Sequence, residues 1–140
     1  MRKIALLFIF LNFFLVPLSA FSQSITPSRG PSWLFYELKP GQGMEDNVIV
    51  KNFGTDKKTF MLYGVDQDNP NGGEGFAPKS VRNEQIAVGK WISIKNPKIT
   101  LAPGESQKIS FLLTLPLDVE REKSYAGALV LATLADTVEV

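Results

Sequence analysis

Between Gln107 and Leu115 apolar and polar residues alternate, with Ile109, Phe111, Leu113 and Leu115 on one side and Lys108, Ser110 and Thr114 on the other. A period of two sends successive side chains to opposite faces, so this segment predicts a half-buried β-strand. The same period recurs along the chain. Leu34, Tyr36 and Leu38 alternate with Trp33, Phe35 and Glu37 as far as Pro40-Gly41, a tight-turn pair, which predicts the opening strand of a domain. Val48 and Val50 alternate with Asn47, Ile49 and Lys51 and stop at Asn52-Phe53-Gly54. Asn and Gly there accept the angles of a reversal, and Phe60 to Val65 follows as the next strand, so the two segments predict a hairpin. Trp91 to Ile94 and Lys98 to Leu101 predict two short strands, or one bent strand, about Asn96-Pro97, where proline demands an edge or a break.

The turn Ala102-Pro103-Gly104-Glu105 leads into the strand at Gln107. After it, the charged stretch Asp118 to Lys123 predicts a turn or a single helical turn. Ser124 to Leu134 is apolar on both faces, Tyr125, Leu129 and Leu131 against Ala126, Ala128, Val130 and Ala132, and reads as a central strand. Asp66 to Ala87 lacks any period; it is rich in Asn, Gly, Pro and charge and predicts a long loop with room for a short strand near Phe76. The sum is about seven short strands without substantial helix: an all-β protein, an immunoglobulin-like antiparallel β-sandwich.

The first residues set the compartment. Met1-Arg2-Lys3 is basic, Ile4 to Val16 is apolar, and Ala20-Phe21-Ser22 offers a small-residue exit, the pattern of a secretory signal peptide over 1–22. Cleavage after Ser22 is the favoured site, with Ala20 as its competitor. The apolar run is shorter than the roughly 20 residues a spanning helix needs, and Pro17 interrupts its end, so membrane association is expected only if the signal segment is retained. Residues 23–140 then form one domain of 118 residues with thirteen basic and fourteen acidic side chains. Near-neutral charge without a basic cluster argues against nucleic acid. Lacking cysteine, the chain has no disulfide, thiolate nucleophile or sulfur-ligated zinc.

Its chemistry is bounded in the same way. Without histidine no Ser-His-Asp triad can form, and any metal must be held by oxygen. Asp66, Asp68 and Glu74 share one loop, whereas glycosidase carboxylates come from different strands lining a cleft, so no enzyme activity and no cofactor are expected. Asp66 and Asp68, followed by Asn69, Asn71 and Gly72, match the start of a calcium loop. Pro70 occupies the third ligand position and the closing glutamate is missing, leaving Asp66, Asp68 and Asn71 a weak calcium candidate. Trp91 reads as core filler. Trp33 and Phe35 differ: with Leu34, Tyr36 and Leu38 inward, both rings point outward and form a candidate binding ledge for sugar or protein, unless the arm Gln23 to Pro31 covers them.

The succession of a Pro-Gly turn, NVIVKN, VDQDNPNGGEGF, VGKWI, ITLAPGESQKISFLLTLP and YAGALVL over nearly all of residues 23–140 resembles the WxL-interacting protein family, specifically its peptidoglycan-binding immunoglobulin-like domain. The resemblance implies an exported, non-catalytic cell-envelope module, extracellular, in the cell wall or periplasmic, that contacts peptidoglycan or a cell-surface protein. Members of that family continue into a second domain and a membrane helix, whereas this sequence stops at Val140, with Thr137 to Val140 alternating like the start of another strand. Two other expectations follow: a chaperone-like or structural sandwich that pairs with a strand of another protein near Thr137 to Val140, or an accessory domain of a larger secreted protein.

Overall fold

Val48, Val50, Ile109 and Phe111 face Phe60, Leu62, Ile99 and Leu101, and these eight buried side chains make one apolar cluster. The computed structural model describes residues 22–30, 32–67 and 85–134. Among these residues run seven strands, β1 (Gln23–Pro27), β2 (Gly43–Asn52), β3 (Lys58–Asp66), β4 (Ile92–Ser93), β5 (Lys98–Leu101), β6 (Ser106–Thr114) and β7 (Gly127–Thr133), with one helical turn, α1 (Val88–Trp91). They form two antiparallel sheets, one ordered β1-β2-β6-β4 and the other β5-β3-β7. The first four core residues come from β2 and β6, the other four from β3 and β5, so the apolar faces of the two sheets meet as the alternation in sequence requires. The immunoglobulin-like β-sandwich is therefore the fold.

The strand at β6 follows its sequence pattern: Ile109 and Phe111 are buried while Lys108, Ser110 and Thr114 are exposed. Its entry is a type II turn. Pro103 takes the second position, Gly104 supplies φ 75° at the third, and the Glu105 N–H donates to the Ala102 carbonyl at 3.0 Å. The Glu105 carboxylate also accepts the Ala102 N–H at 2.7 Å.

Several elements differ from the sequence reading. The opening strand is β1, paired in register with β2, and not Trp33 to Leu38. Residues 33–38 keep the predicted alternation of inward and outward side chains, but no ladder joins them to another described strand. Burial, rather than pairing, is what their period of two reported. The arm at 23–27 consequently lies edge to edge with β2 and does not cover the rings of Trp33 and Phe35, which are 69% and 88% exposed.

β2 and β3 do not form a hairpin; they lie in opposite sheets. The reason is Asn52, fully buried, whose side-chain amide donates to the carbonyls of Leu101 (3.0 Å) and Asp56 (2.8 Å) while its oxygen accepts the Gly54 N–H (2.9 Å). These bonds satisfy a core amide by tying the end of β2 to β5 across the sandwich, so the turn steps from one sheet to the other. Trp91 closes the helical turn α1 and only Ile92–Ser93 remain as strand. Among the described residues β7 is the edge of its sheet, and β3 occupies the centre. On one of its two apolar faces Leu129 and Leu131 pack against the core cluster. Asp66 ends β3, while Asp68, Asn71 and Phe76 lie outside the described residues, as do the segments 1–21 and 135–140.

Candidate functional site

Segment 32–40 is held against the sandwich by one polar network and two apolar anchors. Leu34 and Tyr36 pack on the core cluster. The Tyr36 hydroxyl donates to Asp46 Oδ2 at 2.7 Å, the Arg29 guanidinium donates to the same oxygen at 3.1 Å, and the Asn47 N–H donates to Oδ1 at 2.8 Å. Asp46 is 4% exposed on β2, so its carboxylate needs these donors. Burial works to raise its pKa, but the Tyr36 hydroxyl, the Asn47 N–H and Arg29 outweigh it and hold the carboxyl below the ordinary range. Tyr36 moves the other way. Burial first, then its bond to the Asp46 carboxylate, pushes the phenol far above its usual value. At the far end, the Lys39 carbonyl accepts the Gln42 N–H at 2.9 Å across Pro40-Gly41, and the Gly41 N–H reaches the Leu115 carbonyl at 2.8 Å.

With the even-numbered residues anchored, Trp33 and Phe35 project from the opposite face of the same extended segment. Side chains two apart in extended backbone share a face, and here that face is solvent. Sequence periodicity alone identified this pair, and the structure brings both rings to one exposed surface.

Beside the ledge runs a groove of about 1190 Å³. One wall is segment 32–40, the other is the N-terminal half of β7 with the segment 119–126 before it, and Val48, Phe111 and Leu113 form its floor. Trp91 also lines it and meets Tyr125 edge to face, ring centroids 4.9 Å apart, with the Lys123 ammonium 5.5 Å over the Tyr125 ring. Trp91 thus serves as half-buried wall rather than deep core, a role hidden in the sequence because its partner lies 34 residues downstream.

Asp66 sits apart from this groove and has a structural task. Its carboxylate accepts the backbone N–H groups of Ile86 (2.7 Å), Ala87 (3.1 Å) and Gly89 (2.7 Å), holding the entry to α1 against the end of β3. Gly89 is required at this approach, because a Cβ there would lie 2.8 Å from the Val65 Cα. Of the three weak calcium candidates only Asp66 is described, and both its oxygens already accept these N–H groups. Among the described residues no group of three or more His, Cys, Asp or Glu side chains could hold a metal ion.

No family profile matches the chain, and no curated protein matches it. Among solved structures the chain is similar to PapD-like domain 7 of human CEP192, an ASH / PapD-like domain, at 15% sequence identity and a TM-score of 0.41, over 83% of this chain and 74% of that one.

Proposed function

We propose that this protein is a non-catalytic, exported cell-envelope binding module, akin to the WxL-interacting family, that contacts peptidoglycan or a surface protein through Trp33 and Phe35. The observation that carries this reading is the exposure of two large rings, 69% and 88%, on one face of a segment whose other face is locked into the core. An aromatic platform of this kind suits the C–H faces of sugar rings or an apolar patch on a protein, and holding it rigid lowers the ordering cost of binding. The absence of histidine and cysteine from the sequence supports a role without turnover, as does the commitment of the buried carboxylates Asp46 and Asp66 to structural hydrogen bonds.

The test is co-sedimentation with insoluble peptidoglycan, comparing the wild-type protein with a Trp33→Ala/Phe35→Ala variant shown to be folded by circular dichroism. The wild type is expected to pellet with the wall and the variant to remain in the supernatant. A wild-type protein that stays soluble would exclude the wall as ligand, and a variant that still pellets would remove the rings from the site.

A further inference from the structure

We infer that segment 32–40 is a strap that lifts and closes as one unit while both sheets stay folded, with the Tyr36–Asp46 bond as its latch. That this motion governs the aromatic ledge rests on the function proposed above; the motion itself does not.

Backbone bonds fix the two ends of the strap. Before it, the Ser28 N–H donates to the Asn47 carbonyl at 3.1 Å; after it, the Gly41 N–H donates to the Leu115 carbonyl at 2.8 Å and the Leu115 N–H to the Gln42 carbonyl at 2.9 Å. Between these anchors residues 32–38 run without a backbone–backbone hydrogen bond to another described residue. Among the described residues their hold on the sandwich is the Tyr36 hydroxyl on Asp46, together with the packing of Leu34 and Tyr36 on the core cluster.

A segment tied to its neighbours by few contacts and no ladder opens before the whole domain does. Lifting the strap breaks one hydrogen bond and frees two side chains, and the ladders β1-β2, β2-β6 and β3-β7 stay intact. The open state is also electrostatically tolerable. Arg29 precedes the strap and donates to the same Asp46 oxygen as Tyr36, while the Asn47 N–H holds the other oxygen. Asp46 therefore keeps donors when Tyr36 leaves; without them, opening would strand a buried charge.

The strap covers one particular stretch of core. Val48 and Phe111, 2% and 4% exposed, border the groove beneath it. Val50, two residues further along the same face of β2, lies away from that groove, at the level of Ile25 on β1 and Gln107 on β6. Opening thus admits solvent to Val48 and not to Val50. The ledge is a property of the closed strap, because Trp33 and Phe35 share a face only while Leu34 and Tyr36 are held inward. A ligand that needs both rings binds the closed state and draws the equilibrium toward it.

The chain has no cysteine, so one introduced thiol reports access to its position. In native buffer Val48→Cys is expected to react with a thiol reagent at least tenfold faster than Val50→Cys. Its rate should rise less than half as steeply with urea, since less surface is uncovered. Leu34→Cys, on the strap itself, is expected to follow Val48→Cys. Leu101→Ala, which weakens the whole sandwich, is expected to speed the reaction of Val50→Cys at least tenfold and to leave that of Val48→Cys unchanged, whereas Tyr36→Phe speeds Val48→Cys at least tenfold. Equal rates and parallel urea dependence at positions 48 and 50 would overturn the strap, and a Tyr36→Phe variant that labels no faster would overturn the latch. The Trp33→Ala/Phe35→Ala change is expected to leave labelling at position 48 as it was, so a failed wall assay and a failed strap are separate results. Saturating soluble peptidoglycan fragments are expected to slow labelling of Val48→Cys at least fivefold; fragments that bind without slowing it would overturn the coupling of strap to ledge.

Discussion

Asp46 shows how one buried carboxylate can position a site it does not touch. Its bonds to Tyr36 and Arg29 fix the inner face of segment 32–40, and through the alternation of extended backbone they fix the outward aim of Trp33 and Phe35. A carboxyl with a depressed folded-state pKa contributes stability above its unfolded value of about 3.8, and that contribution fades as the pH falls through the folded value. Tyr36→Phe is therefore expected to cost about 1.5–3 kcal/mol at pH 7, the loss of a hydrogen bond to a buried charge. The gap between variant and wild type should narrow below pH 4. Urea unfolding at pH 7 and pH 3 measures both, and an equal gap at the two pH values would place the effect elsewhere. The acid was legible in the sequence only as an interruption: Asp46 occupies an inward position two residues before Val48, and nothing in the period says that a tyrosine ten residues away completes it.

At the level of elements, the period of two located β2, β3, β5 and β6 because each has one face on the core, so burial and sequence pattern coincide. It failed where pairing and burial separate. β1, QSITP, carries one large apolar side chain, Ile25, and owes its strand to the β2 ladder, whereas Trp33 to Leu38 alternates without a ladder. Likewise Asn52-Phe53-Gly54 has the composition of a hairpin turn, and only the cross-sandwich bond to Leu101 reveals that it changes sheets. Asn52→Leu is expected to strand the Leu101 and Asp56 carbonyls and the Gly54 N–H, costing about 3 kcal/mol. Denaturant unfolding reads this directly. A leucine tolerated there would mean that the core, not the amide, holds the two sheets in place.

For the whole molecule, the export reading and the fold meet at Ser22. Its carbonyl accepts the N–H groups of Phe53 (2.9 Å) and Gly54 (3.1 Å), an acceptor that processing after Ser22 would remove and processing after Ala20 would keep. If the chain is exported as proposed, its intact mass is expected to retain Phe21 and Ser22; a chain beginning at Gln23 would contradict this. The ledge was readable in the sequence because exposure follows from alternation alone. The groove was not, since its walls come from residues 32–40 and 119–129 and its floor from two further strands.

The proposed contact between the ledge and the envelope can be read from the two tryptophans. In a titration with soluble peptidoglycan fragments followed by the two indole N–H resonances, the signal of exposed Trp33 is expected to shift and saturate while that of Trp91 stays in place. Saturating binding that moves only Trp91, or neither resonance, would place the contact away from the ledge.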